Sequence, residues 1–175
     1  MKISTRAEYG VRLLVALARA EESGPVSLAT VSRVEKLPHA YLEQLVRDLR
    51  RAGLVTATRG QAGGYRLARP ARQISLVDAI RALDGPVLAM PCAGEENLEV
   101  CDRPQDCSVH DVFQRVHESL TGTLGATTLA EAAAAAGGPP YPPAVRKRRQ
   151  TANAAIISSR SGVAPRGASQ RAVTH

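Results

Sequence analysis

Between Pro38 and Gly53 the residues Leu42, Leu45, Val46 and Leu49 stand at i, i+3, i+4 and i+7, which dictates a helix over 38–52 with one apolar stripe that must be covered. Pro38 suits its first turn and Gly53 the left-handed position just past its end. The opposite face holds Glu43, Gln44, Arg47, Arg50 and Arg51. One side of this segment therefore has to lie on a core while the other meets solvent or a polyanion.

The flanking sequence fixes what lies around it. Thr5 and Glu8 form a Thr-x-x-Glu pattern that reads as a capping box opening a helix through about residue 20, with Val11, Leu13, Leu14, Leu17 and Ala18 as its apolar positions. Gly24-Pro25 breaks it, and Ser27 can cap a short helix over about 28–34. Two helices separated by a short turn, the second polar and basic, follow helix-turn-helix logic. Residues 54–69 then read as two short strands around a Gly-rich turn: Val55, Thr56 and Thr58 favour strand, Gly60, Gly63 and Gly64 permit unusual backbone angles, and Tyr65 to Leu67 return. That is a wing. Ser75 caps a further helix with Leu76, Val77, Ile80 and Leu83 on one face, ended by Gly85-Pro86.

Downstream the pattern changes twice. Residues 91–107 have no clean period and read as a loop. After it Val109, Val112, Phe113, Val116, Leu120 and Leu124 step by three or four along a long helix, whose one-sided stripe needs a domain or a partner helix to cover it. A second capping box, Thr128 to Glu131, starts a short Ala-rich helix. From Gly137 onward the chain is Pro-rich, then basic, with few apolar anchors and no acid, so disorder is expected there. Only five residues are aromatic, Tyr9, Tyr41, Tyr65, Phe113 and Tyr141. A small Leu/Val/Ala core is marginal alone, and a dimer would bury more.

The net charge of +7 is unevenly spread: residues 1–84 carry 14 basic and 8 acidic groups, residues 85–136 carry 2 and 8, and residues 137–175 carry 7 and none. A basic front domain favours contact with polyanions. No apolar run approaches the roughly 18 residues needed to span a bilayer, and no signal-like segment opens the chain, so the expected compartment is the cytoplasm, without membrane contact. No paired-carboxylate site, phosphate-binding loop, nucleophile elbow or dinucleotide fingerprint is present, which argues against an enzyme.

Cys92, Cys101, Cys107 and His110 crowd into nineteen residues and include every cysteine of the chain. An odd cysteine count cannot close into disulfides within one chain. Thiolates with one imidazole in a polar loop are a ligand set for zinc or for an iron–sulfur cluster; the absence of a close Cys-x-x-Cys pair weakens zinc.

Tyr41-Leu42-Glu43-Gln44-Leu45, followed by Gly53-Leu54-Val55, Arg59-Gly60, Gly63-Gly64-Tyr65 and Leu67-Ala68, closely resembles the Rrf2 family of winged helix-turn-helix regulators, whose members include iron–sulfur and nitric-oxide sensors. The opening Ile3-Ser4 to Tyr9, the helix over 75–85 and the three cysteines before a long helix match as well, so the resemblance covers about residues 1–136. It implies a mostly α fold: a winged helix-turn-helix DNA-binding domain with a β-hairpin wing over 1–84, a cluster-binding loop over 85–108, a dimerisation helix region over 109–136, and a basic tail over 137–175. It further implies a homodimer gripping a palindromic operator in double-stranded DNA, usually as a repressor, with a 2Fe–2S or 4Fe–4S cluster tuning affinity. Eight residues separate Cys92 from Cys101 where many relatives have five; longer loops cost little entropy, so the same ligation is expected with a bulged loop. Ala62 stands where a third glycine is common, and the tail has no family counterpart.

Under that resemblance the expected ligands are Cys92, Cys101 and Cys107, with His110 as a candidate fourth and Glu8 from the partner subunit as its competitor. The expected DNA contacts are His39, Tyr41, Glu43, Gln44, Arg47, Arg50, Arg59, Gly60, Gly63 and Gly64. Glu43 and Gln44 have the chemistry to read cytosine and adenine edges, Arg47 and Arg50 to hold phosphates, and Arg59 to enter a narrow minor groove. Tyr41 can bond a phosphate or merely pack, and Gly63 and Gly64 read as backbone necessities. Arg146, Lys147, Arg148 and Arg149 form a cation cluster in the tail. Two other readings stay open: a cluster-free regulator sensing through thiols or a small ligand, and a zinc-stapled interaction module whose basic helix is only a solvated face.

Overall fold

The structure of the chain, a computed structural model, describes residues 3–60, 63–87, 107–137 and 141. Helix α1 (Thr5–Arg19) is followed by α2 (Leu28–Glu35), α3 (His39–Arg51), strands β1 (Val55–Thr58) and β2 (Gly64–Leu67), a 3₁₀ turn over Ala71–Gln73, and helices α4 (Leu76–Asp84), α5 (His110–Ala126) and α6 (Leu129–Ala135). The architecture is mostly helical, with one two-stranded hairpin and a long C-terminal helix. Among the described residues no helix is long and apolar enough to cross a membrane.

Helix α1 is the hub, packing against α2, α3, α4, α6 and β2. Its Leu13, Leu14 and Leu17 are buried, as are Leu42, Leu45, Val46 and Leu49 on the stripe of α3. Val77, Ile80 and Leu83 of α4 and Leu129 of α6 complete the interior. The small residues Ala7, Gly10 and Ala16 on α1 are buried as well, so neighbouring helices approach its backbone closely. A core this poor in aromatics is filled by aliphatic side chains packed at short range.

Local signals set the helix ends. Ser27 Oγ accepts the Thr30 N–H (3.1 Å) at the start of α2, and Gly53 takes φ +72° after α3. Reciprocal capping boxes open α4 (Ser75 with Asp78) and α6 (Thr128 with Glu131). The expected Thr5–Glu8 box does not form. Ser4 caps α1 instead: its Oγ accepts the Ala7 N–H (3.1 Å) and donates to Asp84 at the end of α4 (2.7 Å). A tertiary acceptor thus selects the cap, and the Glu8 carboxylate is released from capping to face Arg12 at 3.9 Å.

The hairpin pairs antiparallel, with Val55 opposite Leu67 and Thr58 opposite Gly64. A backbone bridge roots it in the domain: Val26 N–H donates to Tyr65 O (2.9 Å) and Tyr65 N–H to Val26 O (2.8 Å). A second bridge, Ser75 with Thr128, ties the start of α4 to the start of α6. Tyr141, within the segment read from sequence as tail, is buried in the core.

Two glycines mark close approaches of different kinds. A Cβ at Gly64 would stand 2.5 Å from Val26 O and 2.7 Å from Val26 C, whereas one at Gly10 would meet the terminal Leu83 Cδ1 at 2.1 Å. Backbone cannot step aside without losing the bridge, while a leucine methyl can turn away. Gly64→Ala is therefore expected to lose about 2–3 kcal/mol of stability, combining overpacking with the bridge hydrogen bonds. Gly10→Ala is expected to lose about 1 kcal/mol or less, because the gain in helix propensity offsets part of the clash. Urea denaturation of both variants checks the order.

Candidate nucleic-acid interface

The burial of Leu42, Leu45, Val46 and Leu49 fixes the rotation of α3, and every other property of the surface follows from it. His39, Glu43, Gln44, Arg47 and Arg50 are exposed on the far side of the helix. His39 Nδ1 and Glu43 Oε1 lie 3.6 Å apart, one turn along. Asp48, the other acid of α3, points back into the domain. Its Oδ2 accepts from Arg6 Nη2 of α1 (2.6 Å), and its Oδ1 from Arg51 Nη1 (3.1 Å). Arg6 Nε also donates to Leu83 O (2.8 Å), so one guanidinium joins α1, α3 and α4. With Asp48 engaged, Arg47 and Arg50 have no acidic partner among the described residues and are available to an external anion.

The start of α3 is braced separately. Arg12 of α1 reaches the end of α2, donating from Nη2 to Glu35 O (2.5 Å) and pairing with Glu35 Oε2 at 3.2 Å. The Tyr41 ring stands edge-on to Tyr9, centroids 5.9 Å apart at 83°, and the Arg12 guanidinium lies 6.0 Å from the Tyr9 ring centre. Tyr41 is half-buried, so packing accounts for its ring. These contacts hold the turn between α2 and α3 and so the direction in which α3 projects.

Arg59 is exposed where β1 ends, followed by Gly60 with φ +114°, and the Gly63 N–H returns to Gly60 O (2.9 Å). A Cβ at Gly63 would stand 2.4 Å from Thr58 O, so this turn needs glycine for space. Sequence reasoning passed over Arg66, a second exposed cation on the hairpin. The alternation of Tyr65 half-buried, Arg66 exposed and Leu67 buried is a signal that finds it.

Cys92 and Cys101 lie outside the described residues. Cys107 is half-buried, and its carbonyl accepts the His110 N–H (3.2 Å) as α5 begins. Among the described residues no three His, Cys, Asp or Glu side chains gather as a metal site. His110 Nδ1 is buried without a hydrogen-bond partner, but so is His117 Nδ1 further along α5, so this trait alone does not single out a ligand. The Glu8 side chain is 59% exposed, open to an approach from outside the chain.

A helix pair with its second helix exposed and basic, followed by a glycine-turned hairpin, defines a winged helix-turn-helix DNA-binding regulator. Residues 3–135 match the Rrf2 family, described as an iron-dependent transcriptional regulator, and the chain belongs to that family. It is 37% identical over 131 residues to the HTH-type transcriptional regulator IscR of Cronobacter sakazakii, covering 75% of this chain and 79% of that one. A putative HTH-type regulator of Neisseria meningitidis is 34% identical over 129 residues, covering 74% and 85%. Among solved structures, CymR of B. subtilis, named the global cysteine regulator, superposes with a TM-score of 0.65 at 33% identity, covering 77% of this chain and 98% of that chain. IscR of T. potens gives a TM-score of 0.63 at 37% identity, covering 78% and 89%. Members of the family are transcriptional regulators rather than enzymes.

Proposed function

We propose that this chain is a homodimeric, cytoplasmic repressor that reads a palindromic operator through α3 and the hairpin, under the control of an iron–sulfur cluster. The observation that carries the DNA reading is the exposed face of α3, where Glu43 and Gln44 stand beside Arg47 and Arg50, which have no acidic partner among the described residues. Glu43, an anion, has no favourable contact to make with phosphates and is assigned to base edges, with Gln44 beside it. Arg47 and Arg50 are assigned to phosphates, His39 to the same groove, and Arg59 at the hairpin tip to a minor groove. Gly60 and Gly63 let the hairpin backbone make its turn, and Gly64 lets β2 lie close to Val26.

The dimer reading rests on α5. No residue of α5 is buried, although Val109, Val112 and Val116 are 46%, 49% and 41% exposed and lie on one stripe with half-buried Phe113, Leu120 and Leu124. A second copy of the same helix is the partner that a twofold operator calls for.

The thiolates of Cys92, Cys101 and Cys107 fit an iron–sulfur cluster chemically, and the family's iron dependence supports that choice over zinc; His110 or Glu8 of the partner subunit is the fourth ligand. When bound, the cluster supplies a centre that responds to redox state, nitric oxide or iron–sulfur status. Cys107 immediately precedes α5, α5 packs on α4, and α4 packs on both α1 and α3. Ligation that favours one arrangement of these helices shifts the population that binds DNA, and a tenfold change in affinity requires only about 1.4 kcal/mol. The likeness to CymR favours a second reading, a cluster-free regulator responding through thiols or a small ligand.

The anaerobic absorbance spectrum, with iron and sulfide counts, separates the two readings. Replacing Cys92, Cys101 or Cys107 by Ala one at a time is expected to abolish visible absorbance, and full retention in any variant would remove that cysteine from the ligand set. Val112→Asp combined with Val116→Asp is expected to weaken the dimer at least tenfold in sedimentation experiments; an unchanged dimer would place the contact elsewhere. Glu43→Ala is expected to relax discrimination at a C·G position by about 1–3 kcal/mol while sparing nonspecific affinity. Arg59→Ala should weaken binding most at A·T-rich sites and lower the salt slope by roughly one charge. Titrations on operator variants at several salt concentrations distinguish these outcomes.

A further inference from the structure

The turn that joins α2 to α3 holds Lys36 at φ 55°, and among the described residues no other side chain with a Cβ takes left-handed backbone. Such a conformation is disfavoured and persists only where the surroundings hold it. On one side Leu37 N–H donates to Ser32 O (3.0 Å) and Ser32 Oγ to Leu37 O (2.6 Å). On the other stands Glu35, the last residue of α2, on which two side chains converge. Arg12 Nη2 donates to the Glu35 carbonyl (2.5 Å), a helix-end acceptor with no intrahelical donor. Arg12 Nε and Nη2 also donate to Glu35 Oε2 (3.3 and 3.2 Å). The other carboxylate oxygen, Oε1, accepts the hydroxyl of Tyr141 (2.5 Å).

Tyr141 lies beyond α6 and beyond residues 3–135, which carry the family match, yet it is only 2% exposed. Its ring stands 5.3 Å from the guanidinium of Arg19, two turns along α1 from Arg12. Burial, reinforced by the hydrogen bond to Glu35, holds the phenol above its ordinary range, so it remains a neutral donor. With Oε1 held, the glutamate cannot swing outward, and Oε2 and the backbone carbonyl meet Arg12 together. That commitment is a choice, because Arg12 Nη1 also has Glu8 Oε1 within 3.9 Å on the exposed side. Arg12 in turn lies 6.0 Å from the Tyr9 ring centre, and Tyr9 meets the edge of Tyr41 in the first turn of α3. The Tyr141 hydroxyl, the Glu35 carboxylate, the Arg12 guanidinium and the two rings thus form a continuous line of contacts to the recognition helix.

We propose that Tyr141 is a positioning residue for operator recognition: through Glu35 and Arg12 it fastens the turn that aims α3. The inference rests on the DNA-binding reading of α3 and deepens it, since a residue outside the helix-turn-helix domain then governs how α3 is presented. Tyr141 needs no contact with DNA for this role. Base reading requires α3 in register with the groove, whereas affinity for random duplex follows charge. Loosening the turn should therefore cost preference for the operator and spare nonspecific binding.

Tyr141→Phe removes the hydroxyl and leaves the ring to fill its seat. Hydrogen exchange of the free, full-length variant is expected to quicken about fivefold at the Leu37, Tyr41 and Leu42 amides and to stay unchanged in α4. A merely structural tyrosine would quicken exchange throughout the core or nowhere, and either pattern overturns the proposal. In titrations at fixed salt, the preference for operator over random duplex is expected to fall about three- to tenfold with affinity for random duplex retained; an unchanged preference also overturns it. In a Glu35→Ala background the hydroxyl has lost its acceptor, so adding Tyr141→Phe should alter neither readout. An effect there as large as in the parent chain would bypass Glu35 and refute the proposed route. Should the parent chain prefer no operator over random duplex, the regulator reading alone falls, because exchange in the free chain decides the brace by itself.

Discussion

The burial of α1 is the constraint on which the rest of the molecule depends. Leu13, Leu14 and Leu17 are enclosed from all sides, and every helix that carries a functional surface is positioned by packing on α1 or on its neighbour α4. Gly10 lies under Leu83 of α4, where a larger residue would force the leucine aside. Arg6, on the same helix, then fixes α3 and α4 in one stroke through Asp48 and the Leu83 carbonyl. Apolar contact sets the distances here, and a single half-exposed guanidinium sets the register. Its energetic worth as an ion pair is small; its value lies in orienting α3, since one side chain bonds both the Asp48 carboxylate and the Leu83 carbonyl.

That arrangement explains the charge of the recognition surface. A helix with basic residues and two acids would have a muted field if both acids faced outward. Asp48 is instead turned inward to Arg6 and Arg51, and the outward face keeps one acid, Glu43, among several cations. A lone carboxylate on such a face is costly near phosphates, so it persists only where it meets a base edge that donates, or where His39 one turn away offsets it. The same geometry leaves the cations unpaired and makes Glu43 the one acid of α3 that faces outward, 3.6 Å from His39.

Much of this was legible in the sequence because the signals are local. The stripe of α3, the Ser27 and Ser75 caps, the Thr128–Glu131 box and the glycine-turned hairpin all depend on residues within one or two turns of each other. The features that escaped depend on partners far along the chain. Ser4, and not Thr5, caps α1 because Asp84 eighty residues later accepts its hydroxyl, and no capping pattern contains that information. Val26 roots the hairpin through a bridge to Tyr65, though nothing in Gly-Pro-Val suggests a strand. Tyr141 has no periodic neighbours at all, and its pocket is assembled from residues more than a hundred positions earlier. In the candidate site, exposure on α3 was legible once the stripe was seen, while the inward turn of Asp48 was not.

The helices of the domain are held with unequal security. Helices α1, α3 and α4 share a dry interior, whereas α5 buries none of its side chains and touches the domain chiefly through α4. Helix α4 joins the two: its first residue is tied to Thr127 at the end of α5 by the Leu76 N–H to Thr127 O bond (2.9 Å), and its last turn supplies Leu83 O to Arg6 and Asp84 to Ser4. One end of α4 thus meets α5, and the other meets the arginine that orients the recognition helix.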